Sequence, residues 1–181
     1  MLSTVSEMSE HRWQLRPLAL DDCDELGRVH IAVWRDAYSG IMPDDYLAGL
    51  SDERSADRWR AVAGQPLDAP ARTLVVVDER GRLAGFGSAG PSRDDDAPTE
   101  WELYAVNLAA AARGTGVADR LLDELLDDRD ATLWVLEDNA RARAFYTRRG
   151  FVDEGGRDQH PATGAPEMRL VRRASPTMRP G

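Results

Sequence analysis

Apolar and polar positions alternate, or recur at helical spacing, along most of the chain, in an order that predicts an α/β (α+β) fold. Alternating or continuously apolar runs predict strands at 13–17, 73–78, 83–89, 100–106, 132–136, 151–152 and 167–171. Helical spacing predicts helices over 21–37 and 46–62 and after residues 115 and 139. Asp21 or Asp22 is expected to cap the first helix, and Asp138 or Asn139 the last. The polar segment 155–166 is predicted to be a loop. This order predicts a mixed sheet covered by helices.

Two glycines lie where the strand at 100–106 leads into the next helix. A helix start leaves backbone N–H groups unpaired and carries partial positive charge. Gly114 and Gly116 lack the side chains that would keep a phosphate away from those groups. We therefore predict that this turn binds a phosphate or pyrophosphate. A dinucleotide fold would need a third glycine where Asp119 stands, and a Walker loop would need lysine, which the chain lacks.

The turn and a second, downstream segment resemble the two signature motifs of the GNAT superfamily of N-acetyltransferases. The first has the family form Gln/Arg-x-x-Gly-x-Gly/Ala, with Ala111 at the position where the family usually has Gln or Arg. The second is similar to the family pattern of a strand followed by Asn-x-x-Ala-x-x-Phe-Tyr-x-x-x-Gly-Phe. Its matching residues are Asn139, Ala142, Phe145, Tyr146, Gly150 and Phe151. The two motifs follow one another in the family order.

The resemblance implies a GNAT-like fold. Such a fold has a mixed, mostly antiparallel central sheet with helices on both faces, splayed between the fourth and fifth strands. We expect a single domain over residues 12–173, with residues 1–11 and 174–181 as flexible tails.

The resemblance also implies that acetyl-CoA is the co-substrate. Pantetheine would lie in the splay like an extra strand, with backbone bonds from β-strand residues and from Asn139. Backbone N–H groups of the glycine turn would surround the pyrophosphate. The implied cofactor-binding residues are Val106, Leu108, Arg113, Gly114, Thr115, Gly116, Val117, Ala118, Asn139, Ala142 and Phe145.

The implied reaction is direct acetyl transfer from the thioester to a primary amine of a small molecule or peptide. An alkyl ammonium must lose a proton before it attacks, and the departing thiolate benefits from an acid. Tyr146 holds the position of the family's general acid. The base is left open between Glu100, Glu102 and a water relay. The two glutamates would share a face of one strand, and they could also simply attract a cationic amine.

Aromatic residues near the start of the chain and on the central strand are candidates for binding the acceptor. Those assigned to substrate binding are Trp34, Tyr38 and Tyr104, with ordinary core packing as the alternative. Tyr46 and His160 are further candidates, whereas His30 is expected to be structural. Arginines at 141, 143, 148 and 149 form a basic patch beside the second motif.

Charge and composition limit the classes of function that are expected for this chain. A formal net charge of -9 argues against nucleic acid as the main partner. No apolar segment approaches the roughly 18 residues of a membrane span, and residues 1–10 do not have the pattern of a signal peptide, so a cytoplasmic protein is expected. No spacing indicates a metal site, and the resemblance is compatible with a homodimer. Two other functions stay open: an acyl-CoA-binding sensor domain without catalysis, and an unrelated α/β nucleotide-phosphate binder.

Overall fold

The order of strands and helices follows the predicted order. A computed structural model describes residues 12–66 and 68–174. Short 3-10 turns lie at Leu20–Asp22 and Ala110–Ala112. The strands are β1 (Trp13–Pro17), β2 (Arg72–Asp78), β3 (Leu83–Pro91), β4 (Trp101–Leu108), β5 (Ala131–Leu136), β6 (Val152–Gln159) and β7 (Pro166–Arg172). The helices are α1 (Cys23–Ala37), α2 (Asp44–Ala48), α3 (Asp52–Ala63), α4 (Val117–Leu126) and α5 (Ala140–Arg148).

The strands form one mixed sheet in the order β1-β2-β3-β4-β5-β7-β6. β4 and β5 are parallel and are joined through α4, since parallel neighbours need a crossover. They are paired only at Glu102 and Thr132, so the remainder of the two strands diverges. The other strand pairs of the described chain are antiparallel. This confirms the predicted mostly antiparallel sheet, splayed between the fourth and fifth strands.

The two faces of the sheet are covered by different helices. On β2, Val75 and Val77 pack with α1 and α3, while Val76 packs with α4, because successive strand residues face opposite sides. The helices therefore lie on both faces, as predicted. Gly87 on β3 allows α4 to approach closely, since a Cβ there would lie 2.7 Å from the Leu125 side chain.

Several boundaries differ from the predictions. The helical region at 46–62 is divided into α2 and α3, and Ser51 caps α3 by accepting from the Arg54 N–H at 3.2 Å. The expectation that Asp21 or Asp22 caps α1 is wrong, because the Asp22 carboxylate binds Arg16 and the Ala19 N–H instead. α4 begins at Val117 rather than near residue 115.

The last strands also depart from the prediction. The first five residues of the predicted loop at 155–166 belong to β6, which extends to Gln159. Its pairing with β7 shifts between Asp153 and Arg157, and Gly155 there has φ +93°. A polar bulge of this kind hides strand alternation in the sequence. The predicted tails at 1–11 and 175–181 lie outside the described residues, while the Ala174 N–H donates to Asp130.

His30 occupies an aromatic cage between α1, α3 and the sheet. Its ring centroid lies 5.6 Å from Trp34, 5.6 Å from Trp59 and 4.9 Å from Phe86. Nδ1 accepts a hydrogen bond from the Trp59 indole at 3.3 Å, and the indole can only donate. Protonating Nδ1 would remove that acceptor. Burial, with help from Arg58, lowers the pKa of His30 from 6.5 to about 4.

We expect His30 to make stability depend on pH between neutrality and mild acid. Because its pKa is lower in the folded chain than in the unfolded chain, its contribution is complete above pH 6.5 and is lost as the pH falls towards about 4. The free energy of unfolding should fall by about 3 kcal/mol over this window. Urea titrations of the wild type and His30→Gln measure it. His160→Gln is the control for the other described histidine, and an equal slope in His30→Gln and the wild type would contradict the assignment.

Candidate active site

The splay between β4 and β5 opens into a cavity of about 820 Å³. Its walls come from β4, the end of β5, α5, the glycine turn, the end of α1 and the turn between β6 and β7. The predicted site residues that line it are Val106, Leu108, Arg113, Gly114, Ala118, Asn139, Ala142, Phe145, Tyr146, Trp34, Tyr38 and Tyr104. Residues that are distant in sequence thus surround one space.

The glycine turn forms an open cradle of backbone at one end of the cavity. Gly114 and Gly116 have φ +71° and +84°, and a Cβ built on either would meet no atom within 4 Å. In the described part of the chain, no protein acceptor bonds the N–H groups of residues 114–118. Thr115 uses its hydroxyl within the turn, donating to the Ala112 carbonyl at 2.7 Å. The turn therefore offers N–H donors and space, which are the requirements of a phosphate group.

Thr115, Gly116 and Val117 are not among the residues that line the cavity. The Val117 side chain is buried in the core instead, 1% exposed. Any contact from this residue to a ligand would therefore come from its backbone.

Arg113 joins the cradle to the splayed strand. Its Nε donates to the Leu108 carbonyl at 2.8 Å, and its guanidinium pairs with Asp36 at 2.5 Å. The backbone of Leu108 is one of the predicted pantetheine contacts, and its carbonyl already has a partner within the protein. The other predicted strand contact, Val106, lies on the part of β4 beyond its pairing with β5.

Asn139 caps α5, as predicted for this position. Its Oδ1 accepts from the Ala142 N–H at 3.1 Å, and the residue is buried and lines the cavity. The cap uses the amide oxygen, so the amide nitrogen stays available to donate towards the cavity.

Tyr146 lies on α5 and is 8% exposed. Its ring packs edge-on against Phe145 and Phe151, with centroids 5.3 and 5.7 Å away. In the described chain no group forms a hydrogen bond with its hydroxyl. Burial, reinforced by the neighbouring Tyr38 phenol, raises the pKa of Tyr146. The hydroxyl therefore keeps its proton at neutral pH and is a potential donor into the cavity.

The two glutamates proposed as bases lie in different surroundings, and neither lines the cavity. The expectation that they share a strand face is wrong, because β4 begins at Trp101 and leaves Glu100 exposed before it. Glu102 is 2% exposed and accepts hydrogen bonds from both the guanidinium and the backbone N–H of Arg93. Arg93 in turn lies over the Tyr104 ring, 4.4 Å from its centroid.

The other end of the cavity is aromatic and charged. Trp34 packs edge-on against Tyr38 at 5.0 Å between centroids, and His160 lies 6.1 Å from Trp34 and 6.2 Å from Tyr46. Burial lowers the pKa of His160. Of the predicted basic patch, Arg141 and Arg148 line the cavity, whereas Arg143 bonds the Glu137 carbonyl and Arg149 pairs with Asp123.

Charged residues that the sequence analysis did not single out line this end as well. They are Arg93, Asp94, Asp158 and Glu167. No local motif marks them, since they reach the cavity through strand pairing and through a loop whose Asp94 binds the Trp134 indole at 2.7 Å.

In the described part of the chain, no group of three or more His, Cys, Asp or Glu side chains is placed to hold a metal ion. Of the helices in residues 12–66 and 68–174, none combines the length and the apolarity that crossing a bilayer requires.

Comparison with known proteins agrees with this geometry. The sequence pattern of the Acetyltransferase (GNAT) family matches residues 31–151. The chain is 30% identical to the uncharacterized N-acetyltransferase YuaI of Bacillus subtilis over 131 residues, which are 69% of this chain and 72% of YuaI. It is 32% identical to the N-alpha-acetyltransferase RimI of Mycobacterium tuberculosis over 124 residues, 66% of this chain and 77% of RimI.

A solved structure has the same fold. The PaiA N-acetyltransferase of Thermoplasma acidophilum, crystallised with coenzyme A, superposes with a TM-score of 0.64 at 18% identity, over 89% of this chain and 98% of PaiA. The chain belongs to the GNAT family and is an N-acetyltransferase.

The pair of Arg93 and Glu102 should stabilise the fold asymmetrically. The Glu102 side chain is 2% exposed and that of Arg93 61%, so removing the cation strands a buried charge, while removing the anion leaves a cation that water can reach. We expect Arg93→Met to lower the free energy of unfolding at pH 7 by about 3 kcal/mol, and Glu102→Gln to lower it less.

Urea titrations at pH 7 measure this difference. Arg82→Met is the matched control, since Arg82 is exposed in its pair with Asp78 and should contribute at most about 1 kcal/mol. Equal losses in Arg93→Met and Arg82→Met would contradict the expectation.

Proposed function

We propose that this enzyme transfers acetyl directly from acetyl-CoA to a primary amine of a small molecule or peptide. The observation that carries the proposal is the row of N–H groups at residues 114–118, which no protein acceptor bonds in the described chain and which stands at the mouth of the splay. The diphosphate of coenzyme A fits this cradle in charge and in its need for donors.

The path from the cradle to Tyr146 suits the remainder of the cofactor. The edge of β4 that faces β5 has no strand partner beyond Glu102 in the described structure. Backbone N–H and C=O groups along such an edge need hydrogen-bond partners. An extended pantetheine arm would supply it, with the amide nitrogen of Asn139 as a further donor. Acetyl-CoA would carry its acetyl thioester at the far end of that arm.

Tyr146 would supply the proton that the departing thiolate needs. It is buried, protonated and without a hydrogen-bond partner in the described chain. The burial that raises the pKa of the phenol would also raise the pKa of the thiol formed beside it. The pKa values of the proton donor and of the proton acceptor therefore change in the same direction.

The alternative functions have less support. A sensor without catalysis would not need an unpartnered, protonated phenol inside the cavity. A general nucleotide-phosphate binder would not need a gap between two strands that leads away from the phosphate cradle. The name of RimI describes acetylation at an N-alpha amine of that protein's substrate, which makes a peptide amine one acceptor class to test here.

Calorimetry with Gly114→Ala tests the cradle. A Cβ at Gly114 would extend into the space assigned to the diphosphate, so we expect coenzyme A to bind about tenfold more weakly. Gly81→Ala is a matched control, because Gly81 has φ +76° against +71° for Gly114 and the same open surroundings, but lies in the β2–β3 turn. Each substitution should cost about 1 kcal/mol of backbone strain.

Only the Gly114 variant should lose affinity for coenzyme A. Equal affinities in the two variants, or tighter binding of ATP or NAD than of coenzyme A by the wild type, would refute the assignment of the cradle.

Tyr146→Phe tests the acid. The substitution keeps the ring packing and removes the proton, so we expect kcat to fall about 100-fold while the affinity for coenzyme A is unchanged. Release of free thiol on a panel of amines measures kcat, and calorimetry measures the affinity. An unchanged kcat would show that Tyr146 is a packing residue.

A further inference from the structure

Asp158 and Glu167 bring two carboxylates together at the acceptor end of the cavity. They are directly opposite one another in the antiparallel pairing of β6 and β7, and both line the cavity. Like charges directly opposite each other weaken a sheet. In the described part of the chain neither carboxylate forms an ion pair, although arginines pair with other nearby acids such as Glu102 and Asp153. This repulsion is therefore offset only in part, by the more distant charge of Arg93.

Glu167 belongs to the space in which the reaction would take place. It pairs with Leu136 on β5, which also lines the cavity. Its charge acts on the Tyr38 phenol, and Tyr38 acts on Tyr146. All three side chains line the cavity, from β7, the end of α1 and α5.

The surroundings of Glu167 make its carboxylate a better proton acceptor. Burial and the adjacent Asp158 raise the pKa of Glu167, while Arg93 acts in the opposite direction. The other titratable or charged groups at this end are Tyr38, Asp94, Arg141 and His160. Across the cavity, the hydroxyl of Tyr146 has no hydrogen-bond partner in the described chain. A potential proton donor and a potential proton acceptor thus line one cavity from separate elements.

We propose that Glu167 binds the ammonium group of the acceptor and takes its proton, with Asp158 holding the cation beside it. The inference rests on the proposed function and assigns to Glu167 the role for which Glu100 and Glu102 were the first candidates. Those two residues do not line the cavity, and Glu102 is bound by Arg93.

The proton balance is complete with these groups. The ammonium gives one proton to the Glu167 carboxylate, and the free amine attacks the thioester carbonyl carbon. The carbon–sulfur bond breaks as the thiolate takes the Tyr146 proton, and the phenolate then takes the second proton from the new amide nitrogen. Glu167 returns its proton to solvent. One ammonium and one thioester thus give one amide, one thiol and one proton.

The same walls limit the class of amine. Trp34, Tyr38 and His160 present aromatic surface, which favours a cation carried on an apolar or aromatic arm. Arg93 and Arg141 line the same end and disfavour a second positive charge close to the first. The site therefore suits a primary monoamine rather than a polyamine.

The pH dependence of Glu167→Gln tests the role. With 2-phenylethylamine or the best monoamine of a panel, we expect kcat/KM at pH 7 to fall about 100-fold. Wild-type kcat/KM should level off above the pKa of Glu167, whereas the variant should continue to gain about tenfold per pH unit as free amine accumulates. Glu154→Gln, an exposed residue of β6 that pairs with Arg173, should keep the wild-type profile.

Asp158→Asn separates cation binding from proton transfer. Removing the neighbouring negative charge should raise KM, keep kcat at neutral pH and move the acid limb of the profile to lower pH, because the pKa of Glu167 falls. Carbon-13 NMR of the side-chain carboxyl groups measures that pKa without turnover. A Glu167 carboxyl that titrates at its ordinary value and ignores Asp158→Asn would overturn the proposal.

These experiments distinguish the role of Glu167 from the proposed amine-transfer function. If the wild type acetylates amines and Glu167→Gln has the same rate and pH profile, Glu167 is not the base and the proposed function stands. If the wild type binds coenzyme A but acetylates no amine of the panel, the amine-transfer function fails and the role of Glu167 fails with it.

Discussion

The parting of β4 and β5 after a single paired position is the constraint on which the site depends. A strand edge inside a fold leaves backbone N–H and C=O groups that need partners. Here the two strands diverge from Glu102 and Thr132, and the starts of α4 and α5 lie at the open end. Each of those helix starts adds further N–H donors. The gap is therefore polar along its edge, and an extended ligand with amides and phosphates satisfies it better than water or another strand.

The acceptor end of the cavity places two acidic residues directly opposite one another. The chain has a net charge of -9, and arginines neutralise many of its acids in the described structure. Arg72 and Arg172 also bond carbonyls at the end of α4, where the acidic residues oppose the helix dipole. Against this background, Asp158 and Glu167 face each other without an ion-pair partner in the described structure. A repulsion that the fold offsets only in part is relieved further when a cationic ligand binds, which is how a site can prefer an ammonium to a neutral amine.

Local sequence patterns predicted those parts of the site that depend on neighbours in the chain. The glycine turn, the cap at Asn139 and the position of Tyr146 each follow from spacing within one strand–turn–helix unit. The ion pair of Arg93 with Glu102 and the facing of Asp158 and Glu167 could not be predicted, because each depends on register between strands or on a loop. A residue's role as a base is decided by such long-range placement, so the sequence favoured glutamates that the fold directs elsewhere.

In the proposed mechanism, the surroundings of Tyr146 and Glu167 also explain why no proton moves from the phenol to the carboxylate before the substrates bind. Burial raises the pKa of the phenol and of the carboxyl alike. Moving a proton from Tyr146 to Glu167 would place a phenolate in the cavity with no cation beside it. An ammonium next to Glu167 and a thiolate next to Tyr146 change both equilibria in the direction of transfer. In the proposed reaction, the thioester would lie in the splay, in the cavity that both Tyr146 and Glu167 line.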